Sequence, residues 1–211
     1  MDQTWAQIAA TPLENEHVLL APVRPEDRAS WHAIAMYSPI WRYFVLRIDT
    51  DADFDAYFDL GLADQAAGRR VVYSITDKGS GAAAGSMSFC NMAQPDGRLE
   101  IGWSWLGRDF QGAGLNRWAK FLMMRHAFER MAVERVEFKT DILNIQARHG
   151  LRNIGAREEG TLRSFNPMPD GRRRDAVYYS VLRAEWPHVR DQLLTQPKVA
   201  WPEPETLGAA R

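Results

Sequence analysis

The sequence predicts an α/β (mixed α+β) domain: one twisted, mostly antiparallel sheet that contains a single parallel strand pair and carries helices on both faces. Three observations predict it. Between Val71 and Leu106, three strand-like segments follow one another across short turns, which makes an antiparallel meander. After Gly114 the hydrophobic period changes from two residues to 3.6. Strand character then returns at Arg135–Thr140, and a strand–helix–strand crossover within one sheet has to be parallel.

Each element has its own local reason. Val18–Val23 reads as a first strand, and Pro25-Glu26-Asp27 as a helix start with acids in the first turn. Trp31, Ile34 and Ala35 give that helix an apolar stripe, and Ser38-Pro39 stops it. The aromatic-rich connection Ile40–Val45 follows. A second helix runs from near Asp53 to Ala67, with Phe54, Tyr57, Phe58 and Leu62 at helical spacing and Gly68 capping its end. The strands Val71–Ile75, Ala83–Cys90 and Leu99–Leu106 are joined by turns at Asp77–Gly81 and Pro95-Asp96-Gly97. In the third, strict alternation puts Leu99, Ile101, Trp103 and Trp105 on one face and Glu100, Gly102, Ser104 and Leu106 on the other. A helix from about Asn116 to Met131, the strand Arg135–Thr140 and a helix over Gln146–Ile154 closed by Gly155 come next. The strands Ala156–Leu162 and Asp175–Leu182 then flank a loop holding Pro169-Asp170-Gly171 and Arg172–Arg174, and Glu185–Leu194 is a last helix. Residues 1–195 read as a single domain. Residues 196–211 read as a tail, loose or packed on a partner.

Composition excludes several classes of function. Lys+Arg 26 against Asp+Glu 27, a net charge of −1, gives no electrostatic case for a nucleic-acid binder or a polybasic membrane anchor. The lone Cys90 cannot form an internal disulfide or a cysteine-based zinc site. His17, His32, His126, His149 and His188 share no metal-ligand spacing, so no metal is expected. The opening residues show no signal pattern and no apolar run reaches membrane-spanning length, so a soluble, cytoplasmic domain is expected.

The chemistry concentrates in Leu99–Arg117. A strand ends, the loop Gln111-Gly112-Ala113-Gly114-Leu115-Asn116 follows, and a helix begins at once. Glycines there leave main-chain N–H groups uncovered beside the positive end of the helix, which suits a phosphate or pyrophosphate; a tight turn that binds nothing is the other reading. A Walker loop would end in Gly-Lys-Ser/Thr, whereas Gly114 is followed by Leu115-Asn116. A dinucleotide fold would want a third glycine and a parallel start, and this loop follows a mid-chain meander.

These residues resemble the GNAT superfamily of acetyl-CoA-dependent N-acetyltransferases, and within it the ribosomal-protein and protein N-terminal acetyltransferase-like branch. Pro12-Leu13-Glu14 through Leu19 and Arg24-Pro25-Glu26-Asp27 are similar to the opening strand and helix of that branch. Glu100-Ile101-Gly102-Trp103 is similar to its fourth-strand signature, and Gln111-Gly112-Ala113-Gly114 to its pyrophosphate loop. Asn144-Ile145-Gln146-Ala147-Arg148 with Ile154-Gly155-Ala156 and Glu159-Gly160 resembles its second cofactor motif. Pro169-Asp170-Gly171 through Arg174-Asp175 and Tyr179-Ser180 resembles its closing hairpin. Two positions depart: Asn116 stands where the loop motif ends in a small residue, and Leu151 stands where many members carry a tyrosine general acid.

The resemblance implies that Gln111, Gly112, Ala113, Gly114, Leu115, Asn116 and Arg117 hold the pyrophosphate of acetyl-CoA. It also implies that the pantetheine arm lies where the strands Leu99–Leu106 and Arg135–Thr140 splay, pairing with the backbone of Trp103, Trp105 and Leu106. Asn144 either holds that arm or caps its helix, and Arg148 either touches a phosphate or is solvated. Glu100 is the candidate base that deprotonates the amine, or else a solvated strand residue or a partner of Arg98. A backbone N–H near Trp105–Leu106 is the candidate donor to the oxyanion. Trp41, Arg42 and Tyr43 either face the substrate or form a hydrophobic lid. Cys90 reads as a small buried hydrophobe rather than an acyl carrier. The expected reaction is direct attack of a primary amine, at a peptide or protein N-terminus or on a small molecule, on acetyl-CoA. A non-catalytic acyl-CoA-binding or interaction module is the alternative. A homodimer through the C-terminal strands and tail is compatible with either.

Overall fold

The computed structural model describes residues 3–195; the expected tail, 196–211, lies outside the described residues. In chain order the elements are α1 (Trp5–Ala9), β1 (Leu13–Glu14), β2 (Val18–Pro22), α2 (Arg28–Ala35), α3 (Asp51–Ala66), β3 (Val71–Asp77), β4 (Ala83–Ala93) and β5 (Arg98–Leu106). Then come α4 (Leu115–Glu129), β6 (Arg135–Asp141), α5 (Ile145–Asn153), β7 (Arg157–Pro167), β8 (Arg173–Leu182) and α6 (Trp186–Thr195). The eight strands form one sheet in the order β1-β2-β3-β4-β5-β6-β8-β7. Within it, β5 and β6 are the one parallel pair, joined through α4 as the crossover rule requires. The meander is β3-β4-β5.

The sheet separates two cores. One face, carrying Tyr73, Phe89, Leu99 and Ile101, packs with α1, α4 and α6. The other packs Val72 and Trp105 against Trp31, Trp41, Phe54, Tyr57 and Phe58 from α2, α3 and the segment between them. The three buried indoles of this second core all donate: Trp31 Nε1 to Ser74 Oγ at 2.8 Å, Trp41 Nε1 to the Ala35 carbonyl at 2.7 Å, and Trp105 Nε1 to the Tyr57 hydroxyl at 2.9 Å. Their polar ends therefore cost the core little. The Thr50 hydroxyl and the Asp53 carboxylate form a reciprocal capping box, which starts α3 just before the predicted position.

Strict alternation in β5 fails at Trp103. Gly102 pairs with Ser88 and Trp105 with Ser86, so Trp103 and Ser104 together oppose the single residue Met87. This is a β-bulge, and Trp103 takes a φ of 54°, in the left-handed region. One extra residue reverses which face every later side chain meets. Leu99 and Ile101 accordingly lie in the core with α4, while Trp105 lies in the opposite core and Trp103 packs against it. The expectation that Glu100 faces away from both tryptophans is thus corrected: Glu100 and Trp105 share a face.

Helix α4 is buried on nearly every side, and this buries Lys120 to 7% exposure with its ammonium donating to Asn116 Oδ1. Burial lowers its pKa from the ordinary 10.5 to about 7. A lysine depressed in the folded chain destabilises it below that range, because the unfolded chain holds the proton more tightly. Stability is recovered as pH climbs from 7 towards 10.5. Lys120→Met is therefore expected to melt above the native chain near pH 7, by roughly 1–3 kcal/mol. The gap should close as pH rises. Thermal melts of both proteins between pH 6 and pH 10 check this.

Candidate functional site

The loop before α4 has the geometry of an anion cradle. Gly112 and Gly114 take φ of 73° and 88°, and the second is the residue from which the helix starts. Alternating left-handed residues point successive N–H groups to one side. The main-chain N–H groups of Gly112, Ala113, Gly114, Leu115 and Asn116 have no acceptor among the described residues, and the first hydrogen bonds of this turn are the Arg117 and Trp118 N–H groups donating to the Gly114 carbonyl. Gln111, Gly112, Ala113 and Asn116 are exposed and Leu115 is buried, anchoring the turn. Gln111 does not point outward: its Nε2 donates to the Leu106 carbonyl at 3.0 Å, tying the loop to the end of β5. Arg117 donates through Nη2 to the Leu193 carbonyl at 2.7 Å and so holds α6. Five orphaned donors at a helix start fit a diphosphate.

The cleft beside this loop opens because β5 and β6 separate. Their ladder pairs Arg98 with Arg135, Leu99 with Val136 and Glu100 with Glu137, and goes no further. The β5 backbone from Ile101 to Leu106 therefore faces the cleft without a ladder partner on that side. The bulge bends β5 away at this point, and Arg70 lies 4.3 Å beneath the Trp103 ring, supporting the indole in its left-handed conformation.

Glu100 sits where the strands part. It is 6% exposed; Asn91 Nδ2 donates to Oε2 at 2.8 Å, and the Lys139 ammonium lies 3.3 Å from the same oxygen. Oε1 is the other arm, and a Cβ added at Gly102 would stand 2.8 Å from it and 3.1 Å from Cys90 Sγ. Gly102 thus has a defined purpose: only hydrogen at that position lets the carboxylate lie flat against β5. Glu100 is not held by Arg98, whose guanidinium meets Asp96 and Glu137.

On the α2–α3 side of the sheet, Arg42, Tyr43, Leu143, Asp170 and Arg172 line a groove of about 410 Å³. The structure brings Arg42 and Tyr43 to this groove but not Trp41, which is 2% exposed and packs on Tyr57 and Trp105. Trp41 has the core role, because its large ring fills the centre of the aromatic cluster. At the groove wall, Arg172 pairs with the fully buried Asp141 and with Asp170.

Asn144 is the N-cap of α5, its Oδ1 accepting the Ala147 N–H at 3.0 Å. Arg148 is neither solvated nor turned to the loop: Nε donates to the Tyr179 hydroxyl at 3.2 Å, Nη1 to the Ile142 carbonyl at 3.2 Å, and Nη2 meets Glu158. Leu151 is buried in the core. The Cys90 thiol is pushed well above its ordinary range, first by burial and then by the Glu100 charge, so it holds little thiolate at neutral pH. Among the described residues no cluster of His, Cys, Asp and Glu is arranged to hold a metal ion, and no helix is long and apolar enough to cross a membrane. Sequence reasoning missed Asn91 and Lys139, which hold Glu100, and also Asp141 and Arg174 further along the same face of β6 and β8. The sole signal for any of them was the arginine run Arg172–Arg174.

Comparison with known proteins gives the family and the fold. Residues 17–157 match the family model described as an acetyltransferase (GNAT) domain. The chain is 33% identical over 106 residues to the Bacillus subtilis (strain 168) protein YdaF, which is named as a candidate ribosomal N-acetyltransferase. That alignment covers 50% of this chain and only 57% of YdaF. Among solved structures, a candidate acetyltransferase from T. thermophilus is 33% identical with a TM-score of 0.77, covering 87% of this chain and 95% of that one. Mycobacterium smegmatis RimJ, solved in complex with CoA-disulfide, shares the fold at 23% identity and a TM-score of 0.74, covering 87% and 91% of the two chains. The matched domain spans both the splayed strands and the loop of free main-chain donors, and on that ground the chain belongs to the GNAT acetyltransferase family.

Proposed function

We propose that this protein transfers the acetyl group of acetyl-CoA to a primary amine, with a peptide or protein N-terminus as the preferred acceptor, by direct attack in a ternary complex. One observation carries the reading: five consecutive N–H groups without acceptors, at the start of α4, beside the gap where the β5–β6 ladder ends. In this reading Gly112–Asn116 bind the pyrophosphate. The unpaired edge of β5 at Trp103, Trp105 and Leu106 holds the pantetheine amides as an added strand would. Asn144 borders the arm from α5, its Oδ1 committed to the cap and its amide hydrogens available. Arg148 contributes by fixing α5 against β7 and β8.

When bound, acetyl-CoA supplies an acetyl thioester. Glu100 accepts a proton from the acceptor ammonium, leaving the nitrogen lone pair to form the new C–N bond as the C–S bond breaks. An α-ammonium of pKa roughly 7.7–8.0 needs only a modest base. Lys139 and Asn91 keep the carboxylate fixed while it waits. After the attack the nitrogen sheds its second proton to solvent, and with leucine at position 151 the departing sulfur takes its proton from solvent as well. The likeness to YdaF favours a protein amine as acceptor and, with it, a cytoplasmic setting. The dimer through the C-terminal strands belongs to the same proposal.

Gly102→Ala tests the placement of Glu100. The added methyl forces the carboxylate away from β5, and kcat is expected to fall about tenfold while the Kd for CoA stays within twofold. An unchanged kcat would show that the position of Oε1 does not matter.

A further inference from the structure

We infer that Arg174 reads a carboxylate on the acceptor, so that the substrate class is an amine with an acidic group about one residue away. This rests on the acetyl-transfer reading above and deepens it.

The observation is a buried cation with nothing to hold. Arg174 is 6% exposed, its Nε is buried without a hydrogen-bond partner, and no hydrogen bond or ion pair reaches its guanidinium among the described residues. The neighbouring charges are already matched. Lys139 pairs with Glu100 and Arg172 with Asp141, which leaves Arg174 as the one buried cation of this cluster without a counter-ion among the described residues; Arg42 and Arg173, also without an ion pair, are exposed to water. Burial pulls its pKa down, with the charges of Asp141 and Glu100 opposing from further off. A desolvated guanidinium without an acceptor is costly, and its five donors in a planar fork match a carboxylate.

Its position is what makes this a substrate site. In the β6–β8 ladder Lys139 pairs with Tyr178 and Asp141 with Ala176, which puts Arg174, two residues on, on the face where Lys139 reaches Glu100. Along the chain Arg174 thus lies between Arg172, which walls the groove with Arg42, Tyr43 and Asp170, and Tyr178, the ladder partner of the lysine that holds Glu100. An acceptor entering along the groove presents its amine to Glu100 and its neighbouring side chain or carboxyl group to Arg174. A polyamine would set a second ammonium against this guanidinium, and like charges there oppose binding.

The carboxylate can come from a Glu or Asp side chain at the first or second residue of a peptide, or from the α-carboxyl group of a free amino acid. The test measures thiol release from acetyl-CoA with hexapeptides beginning Ala-Glu, Ala-Gln and Ala-Lys, with free alanine, and with spermidine. Ala-Glu is expected to exceed Ala-Lys at least tenfold in kcat/KM, with spermidine lower still. Arg174→Met is expected to lower the Ala-Glu value about 10- to 100-fold through KM, with unchanged CoA affinity and a Tm at or above that of the native chain; Arg174→Lys should recover part of the loss. Free alanine outrunning the peptides would keep the carboxylate and assign it to an amino acid. Equal rates for the three peptides, or an unchanged ladder in Arg174→Met, would overturn the inference while leaving acetyl transfer intact. If no acceptor is acetylated, the transfer reading fails instead. Calorimetric titration of Ala-Glu and Ala-Lys peptides into the CoA-loaded protein still decides the role of Arg174, since equal affinities would overturn it.

Discussion

Glu100→Gln is expected to lower kcat for amine acetylation by about 10²–10⁴-fold, the usual range for removing a positioned general base. The substitution keeps the shape of the side chain and its acceptor for Asn91 Nδ2 but removes the proton-accepting oxygen and the charge facing Lys139. The change lies on the acceptor side of β5, away from the main-chain donors at Gly112–Asn116, so the Kd for CoA should move less than twofold. Stopped-flow or steady-state thiol release with a saturating N-terminal peptide measures the first quantity and calorimetry the second. Turnover within threefold of the native value would remove Glu100 from the mechanism. Equal loss of turnover and CoA affinity would mean that the variant damages the fold at the strand gap.

Gly114→Val is expected to weaken CoA binding about 100-fold. Gly114 adopts φ 88°, where an L-residue costs about 1–2 kcal/mol and a β-branched one more. The backbone relieves that strain by rotating, and rotation turns the N–H groups of Gly114 and Leu115 away from their common focus. Gly81→Val supplies the control. Its φ of 73° imposes similar strain in the β3–β4 turn, and nothing lies within 4 Å of an added Cβ. That variant should lose comparable stability and keep its affinity for CoA. If both variants bind CoA as the native chain does, the loop is a turn and not a cradle.

Much of this was legible in the sequence because the signals were local. The period change after Gly114, the turn residues around Asp77–Gly81 and Asp96-Gly97, and the crossover rule together gave the meander, α4 and the parallel pair. The glycine loop could be read because φ preferences belong to individual residues. What escaped was set by tertiary contacts. The bulge at Trp103 leaves no local mark, since the alternation of Leu99–Leu106 is intact as a string; the support of Arg70 beneath the indole comes from a distant part of the chain. Helix α1 is five residues long, too short for a periodic signal, and its Trp5 Nε1 is held by the Met131 carbonyl at 2.9 Å, across more than half the sequence. Strand β7 is exposed along nearly all of its length and extends beyond the predicted Leu162 to Pro167, because pairing with β8, not burial, defines it. At the site, Glu100 could be picked out by its place on the strand entering the loop. Its neighbours Lys139 and Arg174 could not, because they arrive from strands whose order in the sheet depends on the whole chain.

The measurement that bears most directly on the central claim is a calorimetric titration of CoA compared with pantetheine, which lacks the diphosphate and nucleotide. If the free N–H groups of Gly112–Asn116 grip the diphosphate, CoA binds with a micromolar Kd and pantetheine binds at least 100-fold more weakly. Absence of CoA binding at high micromolar concentration, or equal affinity for the two ligands, would contradict the account.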